Sequence, residues 1–296
     1  MFIYPALTSY IMPVLKNLAE HIQLDVFYCN QDARLGFGDI QPFEHPNVNW
    51  RPITEWRPFG QDKLGMYQRG LLQYIIKEHP DAILIWANPR YLSFWGVLLA
   101  GRLLNIPVYP RGHGLFKKRT VSIYYKLMYR AIVQLSQKYI CYTPLVKKSL
   151  LDISIPDNKL VVDYNTLYVD SPVPPAEKSG DEKGVLFLGR LRPLCDIELL
   201  IEAFKKIRER HDLELHIIGD GPLTDYVQEM AKQHTWLHYH GAIFNDKKIS
   251  QISRLCRFGC QPGYTGLSVV HLMALSLPVV AHCDMQQQGP EPEYVK

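Results

Sequence analysis

Apolar residues in the second half of the chain follow two alternating patterns. Short apolar runs at 185–188 and 213–218 predict buried strands, whereas the apolar positions of 197–207 recur at the spacing of a helix. Further segments of both kinds follow, and strands separated by helices of this length indicate βαβ units and a parallel sheet. The pattern therefore predicts a doubly wound α/β domain over residues 185–296.

The first half repeats this alternation less regularly. We predict strands at 2–4, 24–28, 82–86, 107–109, 138–142 and 160–162, with helices between most of them. Residues 32–57 show no clear pattern, and we predict a loop there that carries one short strand.

A Pro-rich, polar stretch at 171–184 separates the two halves and is typical of a linker. The predicted organisation is therefore one Rossmann-like domain at 1–170, a linker at 171–184 and a second Rossmann-like domain at 185–296. Two doubly wound domains joined in this way are expected to bind ligand in a cleft between them, at the carboxyl ends of the strands.

The segment 262–280 carries the most specific chemistry. A turn with two glycines opens a helix that is apolar nearly all round, and a strand follows it. Such a helix is buried, so its amino end points into a cleft, where unpaired N–H groups and the helix dipole favour an anion. His271 lies about one turn inside this helix. The segment therefore predicts a phosphate site with a histidine beside it.

The net charge of +4 is unevenly distributed. Residues 82–151 contain no Asp or Glu but eleven basic residues, which are Arg90, Arg102, Arg111, Lys117, Lys118, Arg119, Lys126, Arg130, Lys138, Lys147 and Lys148. This block indicates an anionic partner, such as a nucleotide, a lipid diphosphate or a membrane surface. No nucleic-acid-binding motif accompanies it, so we expect no nucleic acid.

Length and composition favour a soluble cytoplasmic protein. The 296 residues suffice for two cores, and the six cysteines lack pair spacing, so we expect them to be reduced. No secretory signal is recognised at Met1. The apolar segment 91–109 is interrupted by Arg102 and Asn105 and is too short to span a bilayer comfortably, so we predict a helix followed by a buried strand.

The second half resembles the donor domain of family 4 (group 1) glycosyltransferases, which have the two-domain GT-B fold. The resemblance rests on a strand with Gly-Arg-Leu at 186–193, the helix at 199–204, Gly-Asp-Gly-Pro at 219–222, His-Gly at 240–241, and the glycine turn, helix and strand of 266–280. The first half matches more loosely, through 107–114, 140–144 and Asn165. Family members continue beyond the equivalent of Lys296, so the resemblance implies that the second domain is truncated here.

Two family positions differ in this chain. The family's Glu-(seven residues)-Glu pair falls on Gly263 and His271, and its donor-site lysine falls on Cys195. A subset found among capsule and O-antigen enzymes is similar in having Pro-Gly-x-x-Gly-Leu and a histidine in the second Glu position. The chain therefore resembles that variant.

The donor-binding residues follow from these matches. They are Gly189, Arg190, Gly219, Gly263, Gly266, Leu267, His271 and Glu291. A guanidinium at the end of a strand can bind a diphosphate bidentately, and we favour this role for Arg190 over the alternative of a surface arginine in a turn. The resemblance implies that His271 contacts the ribose, and the alternative is a satisfied core histidine. Glu291 or Glu293 is predicted to face the sugar in place of the missing first Glu. Arg192 is a candidate for the charge missing at Cys195, and an exposed side chain without a role is the equal alternative.

His113 is the predicted catalytic residue. It lies in Arg-Gly-His-Gly at 111–114, where two glycines allow close backbone approach to a ligand. The resemblance implies that His113 contacts the donor sugar near the reacting carbon; the alternative is a loop histidine without a role. Next to it, Lys117, Lys118 and Arg119 are expected to lie nearest to lipid head groups.

The resemblance implies transfer of a hexose-type sugar from a nucleotide diphosphate sugar to a glycan or lipid-linked acceptor in surface polysaccharide synthesis, with retention of configuration. The chain has no Asp-x-Asp metal clasp, and a helix dipole with Arg190 can neutralise the leaving diphosphate, so we expect no metal and no other cofactor. We expect the protein at the inner face of an anionic membrane. Two alternatives remain open, a catalytically silent GT-B module that binds nucleotide sugar or glycan and an epimerase of the same fold.

Overall fold

The computed structural model describes residues 1–5, 7–8, 10–29, 41–56, 65–117, 120–174 and 180–295. The chain divides into two compact units, Met1–Tyr164 and Asn165–Lys296.

The first unit is built on a parallel sheet with helices between its strands. Its strands are β1 (Phe2–Tyr4), β2 (Leu24–Cys29), β3 (Val48–Ile53), β4 (Glu55–Trp56), β5 (Tyr67–Gln68), β6 (Ile83–Trp86), β7 (Val108–Gly112), β8 (Tyr139–Cys141) and β9 (Leu160–Val162). Its helices are α1 (Met12–Ala19), α2 (Leu71–Glu78), α3 (Leu92–Leu104), α4 (Ile123–Leu135) and α5 (Pro144–Leu151). The sheet order is β3-β2-β1-β6-β7-β8-β9, and β4 and β5 form a separate antiparallel pair. The strand order reverses between β1 and β6.

The second unit has the same architecture. Its strands are β10 (Gly184–Leu188), β11 (Glu214–Ile218), β12 (Leu237–Tyr239), β13 (Cys256–Gln261) and β14 (Val279–Ala281). Its helices are α6 (Ile197–Ile207), α7 (Thr224–Gln233), α8 (Asp246–Ser253) and α9 (Leu267–Ala274). The parallel sheet has the order β12-β11-β10-β13-β14, which reverses between β10 and β13. The predicted pair of doubly wound α/β folds is confirmed.

Alternating side chains of β10 build two cores in the second unit. Val185 and Phe187 face one way and pack with Ile201 of α6, whereas Leu186 packs on the other side with Leu272 of α9. All five residues of β10 are buried. A central strand covered on both faces needs apolar residues at every position, and this is why its sequence is a continuous apolar run.

Two predicted boundaries in the first unit were wrong. Strand β7 continues beyond Tyr109, because Arg111 and Gly112 pair with β8. The segment predicted as a loop contains the six-residue strand β3, paired with β2 along its whole length, and also β4. Strand β3 is the edge of the sheet and carries polar residues, so it lacks the apolar run of a central strand.

The beginning of the predicted linker packs on the second unit. Val173 is buried with the core beneath α9, and its N–H donates to the carbonyl of Ala274. Ser276 donates from its hydroxyl to the carbonyl of Val173. Residues 175–179 lie outside the described part of the chain.

The apolar segment at 91–109 forms α3 and the beginning of β7, as predicted. Among the described helices, none has the length and apolar composition needed to cross a bilayer.

Candidate functional site

The predicted donor residues of the second unit meet at one edge of its sheet. Gly189 and Arg190 follow β10, and the turn 262–266 follows β13. These two strands are parallel neighbours and flank the point at which the strand order reverses. Open α/β sheets bind ligands at the carboxyl ends of the strands at such a point.

The turn after β10 lies against the amino end of α9. A Cβ atom added to Gly189 would be 3.4 Å from Oγ of Ser268, the second residue of that helix. The first N–H groups of a helix have no partner within it, and the dipole places partial positive charge there. Glycine at 189 therefore leaves space for an anion next to three groups that can donate hydrogen bonds to it. These groups are the first amides of α9, the Ser268 hydroxyl and Arg190, which follows Gly189. Ser268 was missed in the sequence analysis, although it is a polar residue in the first turn of an apolar helix.

Gly219 allows two of the strand-end turns to cross closely. A Cβ atom at this position would be 1.8 Å from the carbonyl oxygen of Gly189, and φ of Gly219 is +155°. The neighbouring Asp220 has a lowered pKa, because its carboxylate accepts hydrogen bonds from Thr224 and Gly221 and interacts with Arg190. Gly219 therefore shapes the turn that holds Arg190, while Arg190 itself is exposed to solvent.

Gly263 is packed against backbone. A Cβ atom there would be 2.4 Å from the carbonyl oxygen of Leu194 and 2.6 Å from the carbonyl carbon of Cys195. The N–H of Tyr264 donates to the same Leu194 oxygen at 2.6 Å. The direction in which the family's first Glu would leave the chain is therefore filled by the turn 193–195. Cys195 is itself buried, and burial raises the pKa of its thiol.

Gln288 holds the glycine turn from the other side. Its side chain is fully buried, its Nε2 donates to the carbonyl of Gly263 at 3.0 Å, and its Oε1 accepts from the N–H of Thr265 at 2.7 Å. Gln288 was missed in the sequence analysis, because a run of three glutamines after β14 gives no indication of a contact with a turn more than 20 residues earlier.

Glu291 lies buried beside the amino end of α9. Its Oε1 accepts a hydrogen bond from Nδ2 of Asn165 at 2.5 Å. Its Oε2 is 3.1 Å from where a Cβ atom of Gly266 would lie. The phenol of Tyr264 has a raised pKa through burial and the nearby Glu291 carboxylate, an effect opposed by Arg192. The Arg192 guanidinium carbon is 6.0 Å from the centre of the Tyr264 ring, so Arg192 reaches the glycine turn.

His271 extends from α9 toward the start of α8. Its Nε2 is 3.7 Å from Oδ1 of Asp246, too long for a hydrogen bond, and this buried nitrogen has no hydrogen-bond partner among the described residues. Burial lowers the pKa of His271, and Asp246 opposes that shift. A satisfied core histidine would have a partner on its ring nitrogen, so this geometry leaves Nε2 able to accept a ligand hydroxyl.

In the first unit, His113 follows directly after β7. Its ring packs edge-on against the Tyr142 ring, with the two ring centres 4.5 Å apart, and the side chain remains partly exposed to solvent. Partial burial, together with Lys117 and Arg111, lowers the pKa of His113 to about 4. The imidazole is therefore neutral at pH 7 and can donate a hydrogen bond through one nitrogen and accept through the other.

The glycines beside His113 pack against protein rather than leaving space for a ligand. A Cβ atom at Gly112 would be 3.0 Å from both Cβ of Ala87 and the hydroxyl of Tyr139. Gly114 has φ of +53°, and a Cβ atom there would be 3.0 Å from Val146. The expectation that these glycines open the backbone to a ligand was wrong; they fit the His113 loop onto the core.

Several members of the acid-free block have partners within the first unit. Arg111 pairs with Asp163, Arg130 donates to the carbonyl of Ile153, and Lys147 pairs with Asp157. Lys117 is exposed at the end of the His113 loop, and Lys118 and Arg119 lie outside the described residues. The block is therefore partly structural.

Comparison with known families assigns the chain. The model of Glycosyltransferase Family 4 matches residues 7–170, more than half of the chain, and the model of Glycosyl transferases group 1 matches residues 182–293. The chain belongs to glycosyltransferase family 4. The second match includes every donor-site position discussed above.

This family 4 chain is similar to one curated protein, an uncharacterized glycosyltransferase of Methanocaldococcus jannaschii. The two are 34% identical over 120 residues, which are 35% of this chain and 31% of that protein. The match thus spans about a third of the relative's length.

Solved structures of low identity share the GT-B fold. HepE of Anabaena, solved with UDP, has a TM-score of 0.67 at 16% identity. The match covers 100% of this chain and 83% of the HepE chain. The lipopolysaccharide outer core galactosyltransferase WaaB has a TM-score of 0.61 at 14% identity, and the match covers 95% of this chain and 79% of the WaaB chain. The UDP-GlcNAc 2-epimerase of Methanocaldococcus jannaschii also matches, with a TM-score of 0.58 at 15% identity. That match covers 99% of this chain and 86% of the epimerase chain. The fold alone therefore does not decide between transfer and epimerisation.

Proposed function

We propose that this protein is a retaining, metal-independent glycosyltransferase that moves a hexose-type sugar from a nucleotide diphosphate sugar to a glycan or lipid-linked acceptor. We place this reaction in surface polysaccharide synthesis at the cytoplasmic face of a membrane. Family membership supports glycosyl transfer, and the finer statements rest on the residues of the two units.

The observation that carries the proposal is the contact between the Gly189 turn and the amino end of α9. This contact supports the proposal because Arg190 directly follows Gly189, and because the Ser268 hydroxyl and the first amides of α9 lie beside the carboxyl end of β10, where an open sheet is expected to bind its ligand. In this proposal they bind the donor diphosphate and stabilise the negative charge that develops as the sugar leaves. In this proposal these groups take the place of a metal ion.

Two further residues of the second unit complete the proposed donor site, and His113 keeps its predicted catalytic role. His271 accepts a ribose hydroxyl at its buried Nε2, which has no hydrogen-bond partner in the described part of the chain. Glu291, fixed by Asn165, takes over the sugar contact of the carboxylate that Gly263 cannot provide. His113 of the first unit, neutral at pH 7, hydrogen-bonds the donor sugar near the reacting carbon.

We further propose that the first unit meets an anionic membrane through α4 and the basic residues before it. Ile123, Tyr124 and Leu127 lie on one side of α4 and are 67%, 64% and 57% exposed. Lys117 is exposed nearby in the chain, followed by the basic pair 118–119. An exposed apolar stripe combined with basic residues is the pattern by which amphipathic helices bind anionic lipid.

The proposal is tested with purified protein, a series of sugar nucleotides beginning with UDP-glucose and UDP-galactose, and lipid diphosphate-linked glycan acceptors. We expect release of nucleoside diphosphate that depends on the acceptor, and a product whose anomeric configuration matches that of the donor. Turnover should persist in excess chelator. Inversion of configuration, or loss of activity with chelator that magnesium or manganese restores, would contradict the proposed mechanism.

A catalytically silent module is the second candidate, and the backbone around Gly263 favours it. The family has a glutamate at the position of Gly263 and a lysine at the position of Cys195, and neither residue of this chain supplies such a charge. This candidate predicts nucleotide-sugar binding by calorimetry without hydrolysis or transfer under any acceptor condition. Acceptor-dependent turnover decides against it.

A further inference from the structure

Two strands of the second unit place a carboxylate and three histidines on one face of the sheet. Glu214 and His216 are two residues apart on β11, so their side chains share a face. His238 of β12 is the direct cross-strand neighbour of His216, and His240 follows two residues later. Glycine at 184 makes room for this cluster, because a Cβ atom there would be 3.0 Å from Cδ2 of His216.

Both histidine Nε2 atoms approach the same carboxylate oxygen. Oε2 of Glu214 is 3.4 Å from Nε2 of His238 and 3.7 Å from Nε2 of His216. The three residues offer ligand atoms that all lie within 4.8 Å of one another. Zinc bonds of about 2.0–2.1 Å in a tetrahedral site put neighbouring ligand atoms about 3.3 Å apart, so small side-chain movements would close the site.

The ring nitrogens that point at this space are unsatisfied. The His216 side chain is 5% exposed, and Nε2 of His216 and Nε2 of His238 are both buried without a hydrogen-bond partner among the described residues. A buried polar atom without a partner is costly, which indicates that a further group belongs there.

His240 supplies the outer contact that a metal-bound histidine needs. Nδ1 of His216 is 3.0 Å from Nε2 of His240, and the two rings are stacked with centres 5.3 Å apart. When Nδ1 of His216 carries the hydrogen, its Nε2 holds a lone pair directed at Glu214 and His238. Such outer-shell hydrogen bonds fix the tautomer and orientation of histidine ligands.

We propose that Glu214, His216 and His238 form a binding site for a divalent transition metal, with zinc as the best fit. Two imidazoles and one carboxylate suit zinc, and the fourth position of a tetrahedral site is available to water because Glu214 and His238 are 46% and 38% exposed. Glu214 is the first residue of β11, and Gly219 of the donor site comes directly after the last residue of β11, about 16 Å from Glu214 along the strand. The metal therefore joins the edge strand β12 to β11 and takes no part in sugar transfer.

The test uses the full chain, stripped with chelator and dialysed, then titrated with zinc by calorimetry and with cobalt by visible absorption. We expect one zinc ion per chain, a higher melting temperature with zinc and the intense visible bands of tetrahedral cobalt. Absence of stoichiometric zinc binding would overturn the proposal and leave a metal-free histidine stack.

Variants locate the ion. Glu214→Gln and His238→Ala change half-exposed side chains, and each should weaken zinc binding more than about tenfold; His240→Gln, which changes an outer contact, should weaken it by about 10–100-fold. His211→Ala, an exposed histidine in the turn after α6, is the matched control and should bind as wild type. Zinc binding by Glu214→Gln and His238→Ala at wild-type affinity would overturn the assignment. If His238→Ala does not fold, Glu214→Gln decides alone.

Discussion

The side-chain amide of Asn165 donates a hydrogen bond of 2.5 Å to Oε1 of Glu291, joining the first residue of the second unit to the segment after β14. Both side chains are buried. The other oxygen of Glu291 lies beside Gly266 at the start of α9. Asn165 therefore orients a carboxyl group next to the proposed diphosphate site.

Replacing Asn165 by Ala should lower the free energy of unfolding by about 1–3 kcal/mol, because a buried acceptor loses its donor. Denaturant unfolding of both proteins measures this difference. Thr166→Ala, which changes the exposed neighbouring residue, is the control and should stay close to wild type. Equal stability of Asn165→Ala and wild type would show that the hydrogen bond contributes nothing.

Gly263→Ala should destabilise the second unit by about 1–3 kcal/mol, since the added Cβ atom meets the backbone of Leu194 at 2.4 Å. Gly263→Glu should be no more stable and should not raise sugar transfer, although it restores the family's residue type. Thermal and denaturant unfolding give the stability change. The matched control is Gly189→Ala, where the nearest atom is 3.4 Å away, and its stability should be near wild type. A stable, more active Gly263→Glu variant would contradict the close packing.

The sequence predicts a strand well where the residues of that strand alone show how it is buried. Strand β10 is buried on both faces and reads as an apolar run, so its position was predicted well. Strand β3 at the sheet edge keeps polar residues, and its length depends on pairing with β2, which the local pattern does not contain.

The same reasoning separates the predicted from the missed site residues. The glycine turn and α9 were predictable, because a phosphate site made by a helix end needs glycine and an apolar helix next to each other in sequence. Gln288 and the Glu214–His238 pairing depend on contacts between distant segments. Their spacing in sequence carries no known signature, so only the fold brings them together.

Arg190→Ala should weaken binding of a nucleoside diphosphate without lowering the melting temperature, because Arg190 is exposed. One lost charge-assisted hydrogen bond costs about 1.5–3 kcal/mol, which is about a ten- to 150-fold rise in Kd. Calorimetry with UDP, GDP and ADP measures the affinity of both proteins. Arg210→Ala, exposed in the turn after α6, is the matched control and should bind like wild type. Equal affinities of Arg190→Ala and wild type would remove Arg190 from the site.

His113→Ala should leave the melting temperature nearly unchanged and sharply lower sugar transfer, because the ring is partly exposed and proposed to contact the donor sugar. A collapsed melting temperature would instead support a structural role. His113→Gln keeps a hydrogen-bonding side chain and should retain more transfer than His113→Ala. Turnover unaltered in both variants would exclude His113 from the reaction.

The lowered pKa of His113 makes a separate prediction about pH. Its pKa in the folded state is about 4, below the unfolded value of about 6.5, so the unfolded chain binds the proton more readily. Wild type should therefore lose stability relative to His113→Gln as pH falls below about 6.5, and the difference should be constant above about pH 7. Urea unfolding at several pH values measures this, and NMR titration should place the His113 midpoint well below 6.5. A midpoint at or above 6.5 would contradict the effect of burial, Lys117 and Arg111.

Membrane binding should depend on both charge and the exposed apolar stripe of α4. Each basic residue near an anionic leaflet adds about 1 kcal/mol, an effect that falls off within a Debye length, so wild type should co-sediment with anionic but not neutral liposomes and be released as salt rises. Replacing Lys117, Lys118 and Arg119 together by Ser should weaken sedimentation, and Ile123→Ser with Leu127→Ser should do so at every salt concentration, because apolar contact is not screened. Phe244→Ser, which changes an even more exposed apolar residue of the second unit, is the control and should sediment as wild type. If wild type stays in solution with anionic liposomes at low salt, the basic block has another role, and a soluble acceptor becomes the better proposal.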